Sequence, residues 1–260
     1  MATNGKEKGS AIARVMAIIE AVAKAERPLS PADLAILLDI PKPSIHRLLN
    51  QLEDDGFVQT NMRGLIIPGR RMHGVAWGVL HSERFSAVRR AILEQLTEKI
   101  GETCGIAIPN GSEMVYYDRV QSNWPLQLNL QVGSRTPFWC TASGKLYLSS
   151  LPKQRRQKII SHLPLHQYAR NTIIDPSYLE KSLLAIKDNN ISTDDEEFVD
   201  GMVGCAVPVL DSELRLCACL FIHAPVVRKS LDELISYSDI LHTTAIKLGS
   251  LIDGADSTSS

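Results

Sequence analysis

The chain lacks most of what would make it an enzyme, a membrane protein or a secreted one. No apolar run among its 260 residues approaches the ~20 that a membrane-spanning helix needs, so no membrane partner is expected. The opening MATNGKEKGS is polar, which predicts no secretory leader and a cytoplasmic protein. The five cysteines, Cys104, Cys140, Cys205, Cys217 and Cys219, form no CxxC pair and no Cys/His zinc spacing. Odd in number and set among apolar neighbours, they read as reduced core residues. Cys217 and Cys219 would share one face of a strand, but two thiols do not complete a tetrahedral site. No metal and no cofactor is therefore expected. The phosphate-loop, dinucleotide, GxSxG and HExxH patterns are all absent. Ser143-Gly144-Lys145 matches the end of a phosphate loop, but Trp139 stands where its first glycine should be. The seven histidines are scattered, none beside an acid at a local catalytic spacing. Asp194-Asp195-Glu196-Glu197 offers carboxylates for acid–base or metal work, yet four acids in a row read first as a solvated loop. An enzyme is not expected.

Net charge is −1 and argues nothing about partners. Its distribution says more. Residues 1–82 carry a small basic excess, 10 Lys and Arg against 8 Asp and Glu, whereas residues 83–260 carry 18 against 21. From Gly56 to His73 there are Arg63, Arg70 and Arg71 and no acid. Basic charge is thus local to one end of the chain, as a nucleic-acid surface requires, although a solvated loop with three arginines is also common.

Ser30 to Phe57 reads as two short helices around a proline-containing turn. Ser30 suits a helix cap, Pro31 the first helical position, and Asp33 the positive helix end. Leu34, Leu37 and Leu38 would be buried. In the second helix Ile45, Leu48, Leu49 and Leu52 follow i, i+3, i+4, i+7 and make one apolar stripe. Pro43, Arg47 and Asn50 lie opposite it, with Ser44 and His46 to either side and Lys42 at the start. This is a helix-turn-helix pattern whose polar, basic face suits bases and phosphates. A helical module that only holds protein is the alternative. Ahead of it, Ser10 caps a helix with Ile12, Val15, Met16, Ile19, Val22 and Ala23 as its inner stripe. After it, Phe57–Thr60 and Gly64–Ile67 read as a hairpin, making a wing with Arg63 at the tip.

Helical spacing continues from Gly69 to Ile100, a connection with apolar positions for self-association. Then the period changes. Strands are expected at Thr103–Ile108, Met114–Val120, Leu126–Val132, Cys205–Leu210 and Leu214–His223. Helices are expected around Ser143–Ser150, Lys153–Ser161 and Pro176–Asn190. A last helix starts at a Ser230/Glu233 capping box, with Leu231, Leu234, Leu241, Ala245, Leu248 and Ile252 inward. The class is α+β, and the second part is large enough to enclose a ligand pocket.

An ordered set of motifs carries a resemblance. It begins with Pro41-Lys42-Pro43-Ser44-Ile45-His46-Arg47-Leu48-Leu49 and Gly56-Phe57-Val58. Tyr117-Asp118-Arg119-Val120, Val132-Gly133-Ser134-Arg135-Thr136-Pro137 and Thr141-Ala142-Ser143-Gly144-Lys145 follow. Asp194-Asp195-Glu196-Glu197, Gly201 and Ala206-Val207-Pro208-Val209 complete it. From about Ser10 to Gly249 the chain resembles the IclR family of bacterial transcription regulators. The resemblance implies a winged helix-turn-helix domain (8–72), linker and dimerisation helices (73–100) and a C-terminal GAF-like α/β effector-binding domain (101–254). It implies a dimer or tetramer that binds a double-stranded DNA operator and activates or represses, typically a catabolic operon. Lys42, Pro43, Ser44, His46, Arg47, Asn50 and Arg63 fall to DNA. The effector would be a small organic acid or aromatic compound, held near the helix that begins at Thr141, where free N–H groups and the dipole favour a carboxylate. Ala142, Ser143 and Asp194 fall on effector-contacting positions. A position that is Cys in some members is Gly204 here, with Cys205 one residue off. Trp139 stands where His is common, and would give the pocket a flat apolar wall if it faces inward. A sensor whose helix-turn-helix contacts only protein is the alternative function.

Overall fold

In a computed structural model, residues 10–25, 27–80, 83–125 and 130–252 are described. The chain divides between Glu83 and Arg84 into two units. The first holds α1 (Ala11–Lys24), α2 (Pro31–Leu37), α3 (Lys42–Asp54), β1 (Val58–Thr60), β2 (Ile66–Pro68) and α4 (Arg70–Leu80). Its core forms where the helical stripes meet. Ile18 and Val22 of α1, Leu34 and Ala35 of α2, and Ile45, Leu48, Leu49 and Leu52 of α3 are buried together with Val58 and Ile66. The α3 stripe is the one expected from its spacing. The other two faces need correcting. α1 docks over the side centred on Ile18 and Val22, which leaves Ile12 and Met16 largely exposed, and Leu37 of α2 also faces out.

Ser30 closes the start of α2 reciprocally. Its hydroxyl accepts the Asp33 N–H (3.1 Å), and the Asp33 carboxylate accepts the Ser30 N–H (2.9 Å). Two of the donors that the helix start leaves without a helical partner are thereby satisfied. We expect Ser30→Ala to destabilise this unit by about 1 kcal/mol in a urea titration followed by circular dichroism. No change would mean that tertiary packing alone fixes the α2 start.

The wing is two antiparallel strands, Val58 opposite Pro68 and Thr60 opposite Ile66. Asn61 builds its tip: its side-chain oxygen accepts the N–H groups of Arg63 (2.9 Å) and Leu65 (3.1 Å). Gly64, at φ +71°, takes the left-handed turn position that a side chain would disfavour. Glu53 of α3 accepts the Thr60 N–H at 2.7 Å and so ties the wing to that helix.

The second unit is a six-stranded antiparallel sheet between two helical layers. α5 (Glu83–Ile100) leads into β3 (Thr103–Asn110), β4 (Glu113–Val120) and β5 (Arg135–Pro137). α6 (Ala142–Ser150), α7 (Lys153–Ile160) and α8 (Pro176–Asn189) follow. Then come β6 (Ser192–Asp195), β7 (Met202–Leu210), β8 (Leu216–Pro225), α9 (Leu231–Ile235) and α10 (Ser238–Ile252). The strand order is β5-β4-β3-β8-β7-β6. Strand alternation assigns the faces. Val203, Cys205, Val207, Leu220 and Ile222 point to the layer that holds Leu93 and Leu96 of α5 and Leu241, Ala245 and Leu248 of α10. Ala206, Cys219, Phe221, Met114 and Tyr116 point to the layer of α6 and α8, represented by Leu146, Leu179 and Leu183.

Three expectations change here. The strand expected over Leu126–Val132 lies partly outside the described residues, and the stretch that follows is a turn into β5 rather than a strand. The C-terminal helix is two helices broken at Ser236 and Tyr237, and Ile252 faces outward. β8 begins at Leu216, because Leu214 sits in the hairpin turn at φ +60°. Among the described residues no helix is long and apolar enough to cross a membrane. No cluster of three or more His, Cys, Asp or Glu there is arranged to hold a metal.

Candidate DNA interface and ligand cavity

α3 presents Lys42, Pro43, His46, Arg47 and Asn50 as exposed side chains, with Ser44 half-buried beside them. Pro43, Arg47 and Asn50 lie opposite the core stripe, with Ser44 and His46 to either side and Lys42 at the helix start. Arg63 is exposed at the wing tip. Pro43 falls in the first turn of α3, where its missing N–H removes no helical hydrogen bond.

The second unit contains a cleft open to solvent, about 410 Å³ with its mouth included. Thr141, Ala142, Ser143, Asp194 and Gly204 line it. The fold therefore brings together five of the seven positions expected around an effector. Thr141 caps α6, its hydroxyl accepting the Gly144 N–H at 3.1 Å and donating to Pro137 O at 2.8 Å. The N–H groups of Ala142 and Ser143 have no protein acceptor among the described residues. They face the cleft as the positive end of a buried helix. Gly144 lets α6 approach β5 this closely, since a Cβ there would lie 2.5 Å from the Phe138 backbone.

Asp194 closes the opposite wall. One of its carboxyl oxygens accepts the N–H groups of Glu197 (2.8 Å) and Phe198 (3.3 Å). The other is not engaged by the protein among the described residues. Burial raises its pKa, and the nearby Glu197 charge adds to this. The two N–H donors and Lys145 only partly oppose them, and the result is about 7. Its remaining exposure is toward the cleft. A carboxyl raised this far can keep its proton near neutral pH and donate to a ligand oxygen.

Trp139 and Cys205 are not brought to the cleft. The Trp139 indole N–H donates to His166 O at 3.1 Å, and the ring packs on Tyr168 at 5.8 Å, so it anchors the loop after α7. Cys205 follows Gly204 on β7, and alternation turns its side chain to the other sheet face, where its Sγ lies 3.6 Å from Leu234 O. The aromatic wall comes instead from Tyr116, Phe198 and Phe221, with His223 beside them. Tyr116 and Phe221 stack at 4.5 Å. None of these four was found from sequence. A strand tells which residues share a face, and only packing tells which face meets the ligand.

The acidic run is not a solvated loop throughout. Glu197 is buried and paired with the equally buried Lys145 of α6, which fastens the Asp194 turn to the helix that carries the donors. Burial pushes the Glu197 carboxyl up, and Lys145 pulls it part of the way back.

A winged helix-turn-helix with a basic face, on the same chain as a sheet-floored ligand cleft, defines a ligand-responsive DNA-binding regulator. Residues 11–61 match the IclR helix-turn-helix domain, and residues 77–250 match the family described as bacterial transcriptional regulator IclR C-terminal. The chain belongs to the IclR family of transcriptional regulators. It is 36% identical over 237 residues to the probable transcriptional regulator SauR of Cupriavidus necator, covering 91% of this chain and 94% of that one. It is 26% identical to the transcriptional repressor IclR of Escherichia coli, covering 87% and 84%. Among solved structures, a double mutant of the PobR inducer-binding domain from Acinetobacter, in complex with 3-hydroxybenzoic acid, aligns at 26% identity and a TM-score of 0.60. That alignment covers 64% of this chain and 97% of that domain.

Proposed function

We propose that this regulator acts in the cytoplasm as a dimer or tetramer on a near-palindromic operator, without catalysing a reaction, and that a small organic acid in the cleft sets its affinity for DNA. The observation that carries the effector class is the pair of unspent N–H groups at Ala142 and Ser143 facing Asp194, whose carboxyl is raised by burial. Together they suit an oxygen-bearing head. The aromatic walls and the missing side chain at Gly204 suit a body larger than a two- or three-carbon keto acid. The PobR relative binds a hydroxybenzoic acid, which supports the same reading. Lys42, Pro43, Ser44, His46, Arg47, Asn50 and Arg63 would meet DNA. One recognition helix reads too few base pairs to find a unique site, so paired half-sites are required. The helices over residues 73–100 would bring the copies together.

The test is fluorescence anisotropy with duplexes from upstream of the adjoining genes, followed by titration of benzoate, hydroxybenzoates, pyruvate and glyoxylate. A specific complex that an acid strengthens or releases is expected. No DNA binding at any salt would leave a sensor that uses its helix-turn-helix for protein.

Acid binding should also depend on pH. An anion is held best while Asp194 keeps its proton, so affinity should fall as pH rises through about 7. Folding follows the same sign. The stability tied to this proton is full below the ordinary value of 3.8 and is lost as pH rises through about 7. Calorimetric titration of benzoate across this range checks it. Flat affinity would remove Asp194 from the binding equilibrium.

A further inference from the structure

We infer that the effector is a two-headed acid whose second oxyanion lies on His223. The inference rests on the acid-effector reading above and sharpens it. Asp194, Gly204 and His223 stand directly opposite one another on β6, β7 and β8. The outer two backbones are therefore two strand spacings apart, about 10 Å. A Cβ on Gly204 would lie 3.5 Å from the His223 Cβ and 3.9 Å from the Asp194 Cβ, so both side chains flank the gap it leaves. The cleft floor is a trough with a polar group at each end. Asp194 stands at one end of this floor and His223 at the other, with the α6 N–H groups on the wall that faces Asp194.

The chemistry of the His223 end follows from its partner. Arg119 Nη2 lies 3.4 Å from His223 Nε2. A guanidinium only donates, so Nε2 accepts. Burial, and then the Arg119 charge, pull the imidazole down to about 3 and keep it neutral. A neutral ring that accepts at Nε2 carries its proton on Nδ1. That Nδ1–H has no acceptor among the described residues. Arg119 is itself held by Leu130 O at 2.5 Å, and stacking on Phe221 (5.6 Å, 16°) fixes the ring plane. A positioned N–H with a cation behind it suits an oxyanion.

The experiment is calorimetric titration of the full-length protein with succinate and glutarate against butyrate and valerate. The diacids should bind at least tenfold more tightly. His223→Phe keeps the ring stack, removes the donor and should erase that advantage while leaving the monoacids within about twofold. His223→Asn, whose amide can reach the Nδ1 position, should recover part of it. If His223→Phe does not melt cooperatively, His223→Leu takes its place with the same expected outcome. A folded variant that keeps the full diacid advantage overturns the inference, as does wild-type protein that binds both classes alike. Benzoate is titrated alongside: if it binds and neither aliphatic class does, this inference alone is overturned, and if it fails as well the acid-effector reading falls with it.

Discussion

Lys145→Met should lower the unfolding free energy by about 3–5 kcal/mol, because it leaves the Glu197 carboxylate buried without its cation. Replacing both partners, as in Lys145→Met with Glu197→Leu, should restore most of that loss, since an apolar pair needs no compensation. Denaturant titrations of the two single variants and the double variant close the cycle. The deficit of the single lysine variant should shrink at low pH. Glu197 is already shifted upward by burial, and losing Lys145 removes the first opposing influence, so protonation relieves the site as pH falls. A single-variant cost under about 1 kcal/mol, with the two singles additive, would show that water already reaches the pair.

Arg47→Ala should weaken operator binding by about 1–3 kcal/mol if the guanidinium grips a base edge, with discrimination relaxed at one base pair. A phosphate contact predicts a different signature, a uniform loss across sequences and a salt slope lower by about one unit. The residue is exposed on α3, opposite Leu48 and Leu49, so the fold should be indifferent and the melting temperature unchanged. Binding curves that coincide with wild type at both low and high salt would take Arg47 out of the interface.

How far the sequence could be read depended on whether a signal was local. The α3 stripe was legible because Ile45, Leu48, Leu49 and Leu52 repeat at the helical period. The Ser30 and Ser230 caps were legible because each acidic partner lies three residues on. Ile12, Met16 and Leu37 were misjudged because a small helical unit leaves some of its leucines, isoleucines and methionines uncovered, and periodicity does not say where a neighbour stops. The pair Lys145–Glu197 spans 52 positions, so no local pattern joins them, and the run of four acids hid the one that turns inward. The cleft divided in the same way. Its helix end showed as Thr141-Ala142-Ser143, a cap followed by small residues. Tyr116, Phe221 and His223 became visible only once the sheet had set its register. Trp139 drew attention by its size and position in a motif, but a large aromatic is first of all a packing unit.

β6 is four residues long and forms one edge of the sheet. Only one of its sides is bonded to another strand, so a change there disturbs one ladder and not two. Asp194 rides on this strand, and Gly204 and His223 occupy the positions opposite it, while the residues that alternate with them, Val203, Cys205 and Ile222, pack the other layer. Along this row, the residues proposed to meet the effector thus alternate with residues that pack the other layer. A duplicated gene could acquire a new inducer by single substitutions along this row, each tolerated by the fold before the next arrives. Chemical diversification of such a sensor needs no new architecture, only a rewritten line of side chains across three strands.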